Sequence, residues 1–274
     1  MLGLFLASAI SAGAAPAAPI SVMSFNIRYG TANDGPDRWE VRAPRTHEVI
    51  RRHRTDVIGL QEALDFQITE ILAKLPGYES IGVGRDDGKK AGEFSSILYD
   101  SNKLRVLDFS TFWLSDTPSV VASKTWGNNI TRFCTAARFE QMGTNRKFYV
   151  FNTHLDHQSQ PSREKSVALI LQRIKDREFN DRVVVTGDFN AGEDNAAVRA
   201  MKSGGFVDAW RVINPKAPQP GTFNGFNELY ESNKIDYVFA GSGWKVLKAE
   251  VVMDKFRGKW PSDHMPVTAE LGFK

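Results

Sequence analysis

Val183-Val184-Val185 runs directly into Thr186-Gly187-Asp188-Phe189-Asn190, and this junction constrains the fold more than any other stretch of the 274-residue chain. A short run of β-branched residues bounded by a glycine reads as a buried strand. Side chains two apart on a strand point the same way, so Asp188 and Asn190 project together from its end. Gly187 lets backbone or ligand come close. A carboxylate there can orient or deprotonate a water, and an amide can donate to a charged oxygen. Alone, the segment also reads as a turn, because Asp and Asn punctuate turns.

Similar junctions recur along the chain. Asn26 closes the apolar strand that begins at Ile20, Gln61-Glu62 closes the run 57–60, and Asn152-Thr153-His154 closes 148–151. Lys234-Ile235-Asp236-Tyr237-Val238 sets an acid inside an apolar strand, and Ser262-Asp263-His264 precedes a last strand over 265–271. Polar groups at the ends of several strands can meet at one mouth, where the sites of α/β proteins lie.

In this order, the blocks "SFN", "LQE", "THL", "GDFN", "IDY" and "SDH" resemble the endonuclease/exonuclease/phosphatase superfamily, over residues 20–271. The stretches "MSFNIRYG", "GVGRDDGK", "GEFSSILY", "FWLS" and "SDHMPV" resemble its bacterial secreted branch. The resemblance implies an α/β fold, a four-layer α/β/β/α sandwich with two packed mixed β-sheets, and a metal-dependent phosphoester hydrolase. Mixed strand and helix signals also argue for packed sheets covered by helices.

A phosphoester hydrolase must activate a water, neutralise the non-bridging oxygens and stabilise the leaving oxygen. Glu62 and Asp263 are hard oxygen ligands suited to Mg2+ or Mn2+, and Asn26 is expected to bind the same ion or a phosphate oxygen. Asp188 is expected to position or deprotonate the attacking water, with Asn190 holding it. His264 is expected to face the phosphate while Asp236 holds its other ring nitrogen. His154 is expected to serve a non-bridging oxygen or the leaving group. His157 and Arg163, just beyond, are candidates to clamp a second phosphate or a sugar; Arg163 also reads as an exposed residue near a helix start. Relatives often read "GTFHGF" where this chain has "GTFNGF", which makes Asn224 a candidate pocket group. A structural calcium site fits poorly, because such sites draw many oxygens from a short loop.

Residues 1–18 read as a signal peptide without a basic n-region: an apolar run over 2–10, then small residues suited to cleavage. That run is too short to span a bilayer. Residues 19–274 form one domain of ample core size, expected to be a periplasmic or secreted monomer with no transmembrane anchor. The leader carries no charged residue, so the mature chain keeps the net charge of +3. A protein tracking duplex DNA usually shows a stronger basic excess, and the dense cluster Arg51-Arg52-His53-Arg54 ends a helical pattern where cations suit the helix C-terminus. Small or lipid-derived phosphoesters are therefore expected ahead of nucleic acid. Cys134, the sole cysteine, lies in a strand pattern and reads as a buried inert thiol.

Periodicity places helices over 40–54, 65–75 and 162–179, and strands over 78–83, 95–99, 104–112, 132–141 and 147–154. Gly143-Thr144-Asn145 joins the last two strands as a hairpin. The Gly- and charge-rich segment 84–92 reads as a solvated hairpin or an anion cradle. Phe112-Trp113-Leu114 reads as core or pocket wall.

Overall fold

The structure, a computed structural model, describes residues 18–227 and 234–274. All but Ala18 of the expected signal peptide lies outside these residues. The first half runs β1 (Ile20–Asn26), α1 (Trp39–His53), β2 (Val57–Gln61), α2 (Asp65–Leu72), β3 (Tyr78–Ile81), β4 (Ile97–Asp100) and β5 (Leu104–Trp113). It continues β6 (Phe133–Gln141), β7 (Arg146–His154), α3 (Gln160–Lys175), β8 (Arg182–Asp188), α4 (Ala196–Ser203), β9 (Val207–Asp208), α5 (Ala209–Ile213), β10 (Asp236–Ala240), β11 (Trp244–Val251) and β12 (Val267–Phe273).

These strands form two six-stranded mixed sheets, in the orders β11-β12-β1-β2-β4-β3 and β5-β6-β7-β8-β10-β9. Each holds a parallel pair, β1 with β2 and β7 with β8. Parallel neighbours need a crossover, and helices α1 and α3 supply it from the outer faces. The first sheet packs Met23, Phe25, Ile58 and Leu60 against α1 and α2. The second packs Val183, Val185, Tyr237 and Phe239 against α3 and α4. A third core, with Val22, Val57, Val150, Val184 and Val238, fills the space between the sheets. Three cores between four layers make the expected α/β/β/α sandwich.

Alternation along the strands makes the inter-sheet layer change character from one end to the other. On β1 the inward positions read Ile20, Val22, Ser24, Asn26; on β7, Phe148, Val150, Asn152, His154; on β8, Val184, Thr186, Asp188. Apolar packing gives way to small polar groups and then to ionisable ones. In the polar zone Asn152 is fully bonded: Nδ2 donates to the Leu60 and Ser96 carbonyls (2.8 and 2.9 Å), and Oδ1 accepts from Gln61 Nε2 (2.7 Å) and Thr186 Oγ1 (3.0 Å). This network ties the sheets together one step below the strand ends. Gly59 lies under it, where a Cβ would collide with Thr186 Oγ1 and Asn152 Oδ1.

The element boundaries shift for local reasons. Helix α3 starts at Gln160 rather than 162, because Ser159 caps it by accepting from the Ser162 N–H and Pro161 fits its first turn. It stops at Lys175, short of 179. Helix α2 ends at Leu72, three residues early, and the last strand runs over 267–273. Strand β11 and helices α4 and α5 lie outside the expected elements; β11 does turn Trp244, Val246, Ala249 and Val251 toward the inter-sheet core, but a bulge between Val246 and Lys248 breaks its two-residue period. The basic cluster does end α1, where Glu48 pairs with Arg51 and Arg52 on the surface. Cys134 is fully buried, and burial pushes its thiol pKa up, away from a nucleophile.

Candidate active site

Strand register alone assembles half of the site. Parallel β7 and β8 put His154 opposite Asp188, and antiparallel β10 puts Asp236 opposite Asp188 from the other side. In the first sheet β1 and β2 pair Asn26 with Gln61, so Glu62 lies one step beyond. Antiparallel β12 runs back along β1, which brings Asp263 and His264, just before its start, to the same mouth.

Helix α1 then clamps the segments that leave these strands. Arg42, fully buried, donates through Nη1 to the Ile27 carbonyl (2.6 Å) and through Nη2 to the Arg28 carbonyl (2.7 Å). Thr46 Oγ1 donates to the Pro261 carbonyl (2.6 Å), and Ser262 Oγ donates to the Asn26 carbonyl (2.8 Å). Arg28, Glu62, Asn190 and Phe226 all have positive φ and all line the cleft. Backbone strain of this kind concentrates where surrounding structure must aim a functional group.

The cleft has a volume of about 610 Å³. His264 Nδ1 lies 2.9 Å from Asp236 Oδ2, and its Nε2 lies 3.8 Å from Asp188 Oδ2. Burial alone would lower the pKa of this ring, but Asp236, Asp188 and Asp263 outweigh it and hold the imidazole charged, with its value well raised. Asp188 accepts from the Asn190 backbone N–H (2.8 Å) and from Asn26 Nδ2 (3.0 Å). Burial, then the charge of Asp236, raises its pKa to about 7, near the working range of a general base. His154 sits 3.1 Å from Asn190 Nδ2 and 3.5 Å from Asp188 Oδ2. Burial, then Arg132 and Arg85, lowers its pKa well below the usual range, so this ring is neutral.

Asn26 Nδ2 bridges Asp188 and Glu62 Oε1, both at 3.0 Å, while its Oδ1 accepts the Arg28 N–H. Its nitrogen thus joins the two carboxylates, and its oxygen, bonded to one N–H, keeps a second lone pair. Arg28 reaches between the acids: Nε is 3.7 Å from Asp263 Oδ2, Nη1 is 4.0 Å from Glu62 Oε2, and Asp34 holds the guanidinium from behind through both oxygens (3.2 and 3.0 Å). Glu62 and Asp263, with a cation already drawn between them, fit a small divalent ion by charge and donor type. Asp188, Asp236 and His264 form a second candidate set, each offering a ligand atom within 4.8 Å of the others. There the His264 nitrogen already faces Asp236 and Asp188 accepts two N–H groups, as Glu62 does from Asn26 Nδ2 and the Tyr29 N–H.

His157 reaches the cleft, where its Nδ1 faces Arg132 Nη2 at 3.1 Å. Two other candidates are corrected. Arg163 turns onto its own helix start, donating to Gln160 Oε1 and to the Asp156 carbonyl, and does not line the cleft. Asn224 is buried and donates to the Ser262 carbonyl, while its own N–H donates to the Asp263 carbonyl and its Oδ1 accepts from Phe226 N–H. It braces the Asp263 turn, and Phe223, Gly225 and Phe226 face the cleft instead.

Sequence reasoning passed over Arg28, Arg42, Arg85 and Arg132. Arg85 comes from the 84–92 segment, which folds inward: its guanidinium pairs with both oxygens of Glu93 at 2.7 Å, and its carbonyl accepts from Trp113 Nε1. "FNIR" was the available signal for Arg28. For Arg42 and Arg132 none was, since each looks like an ordinary surface arginine in its pattern.

The two-sheet sandwich with a polar cleft at its mouth matches a family of hydrolases. The chain belongs to the Endonuclease/Exonuclease/phosphatase family, whose sequence model matches residues 23–264. It is similar to an endonuclease/exonuclease/phosphatase from Bacteroides vulgatus, at 33% identity over 93% of this chain and 99% of that one, with a TM-score of 0.87. A mannosyl-6-phosphatase from Bacteroides thetaiotaomicron is 34% identical over 93% and 100% of the two chains, with a TM-score of 0.86. An uncharacterised protein of Acanthamoeba polyphaga mimivirus is 26% identical over 269 residues, covering 90% of this chain and 98% of that one.

Proposed function

We propose that the protein is an exported, divalent-metal-dependent hydrolase of small or lipid-derived phosphoesters, monoesters or diesters. The observation that carries this reading is the meeting, in one cleft, of a carboxylate poised near neutrality, a charged imidazole aligned by Asp236, and the Glu62–Asp263 pair. The mannosyl-6-phosphatase among its relatives favours a phosphorylated sugar within that class.

Asp188 accepts the proton of the attacking water, and the Asn190 N–H and the Asn26 amide keep its carboxylate aimed. His264 donates from Nε2 to a non-bridging phosphate oxygen, where its charge offsets the charge of the transition state. Asp236 keeps the His264 ring charged and oriented. Neutral His154 accepts from the Asn190 amide at Nε2 and so donates to a further oxygen or to the leaving group from Nδ1. Glu62 and Asp263 would hold Mg2+ or Mn2+, which when bound polarises the phosphoryl group and neutralises its oxygens.

A metal-supplemented screen over monoesters, diesters, phospholipids and plasmid DNA tests this reading. Turnover of a small phosphoester that requires Mg2+ or Mn2+ and stops with EDTA is expected; full activity after exhaustive chelation would refute the mechanism. Sharply salt-dependent nicking of plasmid with negligible small-molecule turnover would make the protein a nuclease instead. Export rests on the apolar run and small residues of 1–18. The mature chain should begin between about Ala15 and Ile20, and an intact Met1 on a cytoplasmic product would remove export from the proposal.

A further inference from the structure

Arg28 is an unusual neighbour for carboxylates that would bind a metal. A guanidinium repels a divalent ion, yet this one is fixed in place by three independent features. Its backbone has φ of 56°, its carbonyl is gripped by the buried Arg42, and its guanidinium is held from behind by both oxygens of Asp34. It also lies over the Tyr29 ring, 4.7 Å from the centroid. A flexible surface arginine meeting an acid by chance would show none of these. Their joint effect is to hold a permanent positive charge 3.7 Å from Asp263 and 4.0 Å from Glu62.

We propose that Arg28 is a resident counter-cation of the metal centre, which partly offsets the charge of Glu62 and Asp263 when no ion is bound and thereby weakens the centre's hold on its ion. This rests on the reading of Glu62 and Asp263 as metal ligands. Two effects act in the same direction. A bound ion meets the direct repulsion of the guanidinium, and the Coulomb interaction at such separations stays strong near a protein surface. Without ion, Glu62, Asp263 and Asp34 would repel one another, and Arg28 relieves that repulsion, so the ion-free state is favoured. Because a ligand stabilises a protein by its affinity for the folded state, both effects reduce the stabilisation that the ion confers. The centre therefore exchanges its ion readily.

Mn2+ titration by electron paramagnetic resonance, with thermal melts with and without Mn2+, tests the proposal on wild type, Arg28→Met and Arg28→Lys. Arg28→Met should bind Mn2+ on the order of tenfold more tightly, melt lower than wild type in chelator, and show a larger rise in melting temperature on adding Mn2+. Arg28→Lys keeps the charge and should stay near wild type in affinity. Unchanged or weaker Mn2+ binding by Arg28→Met overturns the proposal, as does an Arg28→Lys variant that tightens binding as much as Arg28→Met. Failure of wild type to bind Mn2+, or binding undiminished by Glu62→Gln and Asp263→Asn together, overturns the metal reading itself.

Discussion

The two sides of the cleft neutralise their acids by different means. On the side of Glu62 and Asp263 hydrogen bonds from the Asn26 amide, the Tyr29 N–H and Ser262 Oγ are joined by a cation that reaches in from a loop and stands no closer than 3.7 Å. On the side of Asp188 and Asp236 the partner is a buried imidazole bonded at 2.9 Å, with backbone and amide N–H groups filling the remaining positions. The first side keeps a net negative charge that its stand-off cation only partly offsets, which suits a bound ion. The second suits proton transfer, because each group is already aimed and its affinity for protons is set by burial and close charge. Asn26 is the hinge between them, donating to an acid on each side.

The largest expected effects lie on the proton side. Asp188→Asn and His264→Ala should each lower turnover on the order of a hundredfold or more, since each removes proton transfer or charge stabilisation. Near-wild-type turnover by either folded variant would place the chemistry elsewhere.

A smaller and different loss is expected across the cleft. Glu62→Gln should cut turnover at low Mn2+ by about tenfold and recover part of it as Mn2+ rises, because a weakened ligand set is refilled by mass action. Asp188→Asn should show no such recovery. Equal rescue of both variants would erase the distinction between the two sides.

Asn152→Leu tests what keeps the sides aligned. It removes the donor to the buried Leu60 carbonyl, at about 1–3 kcal/mol for a buried group left unsatisfied, while Gln61 Nε2 keeps the Gly59 carbonyl and Ser24 Oγ. A lower melting temperature and a loss of turnover smaller than that of Asp188→Asn are expected. An unaltered melt would mean that packing alone sets the sheet spacing.

Stability against pH gives a subtler check on the proton side. The folded pKa of Asp188, about 7, lies above its ordinary 3.8, so ionisation disfavours the folded state. This penalty is absent below about pH 4, the ordinary value, and complete above about pH 7. In chelator, Asp188→Asn should match wild type in melting temperature near pH 4 and exceed it increasingly toward pH 7. A gap that is constant with pH would show that the carboxyl is not raised. Smallest of all, Cys134→Ala should keep turnover within about twofold, as a change at a buried inert thiol acts through packing alone.

Much of this was readable from local pattern. Strands that end in Gly-Asp-x-Asn or "THL", or begin at "IDY", announce themselves, because a polar group at one end of an apolar run is a signal carried by neighbours in the chain. Of the eight catalytic and metal candidates, six line the cleft, and the buried Asn26 and Asp236 bond Glu62, Asp188 and His264 from behind it. Arg163 and Asn224 misled because their sequence position says only that they are near the site; which way a side chain turns there is decided by a helix cap in one case and by the Ser262 carbonyl in the other. Arg42 could not be read at all, since its partners are carbonyls 14 and 15 residues earlier.

The sequence by itself determined the strand ends, the order of the acid and imidazole groups, and the inward alternation from valine through small polar residues to Asn26, His154 and Asp188. These follow from the two-residue period of a strand, which is a property of adjacent residues. Only the tertiary structure decided that Asn26 bridges Glu62 to Asp188, that Asp236 aligns His264 across the sheets, and that Arg28 stands where a cation is wanted. Those relations join residues from 28 positions apart, for Asp236 and His264, to 235 apart, for Arg28 and Asp263, and no local period carries information over that distance; sheet register and helix clamps alone bring such groups together.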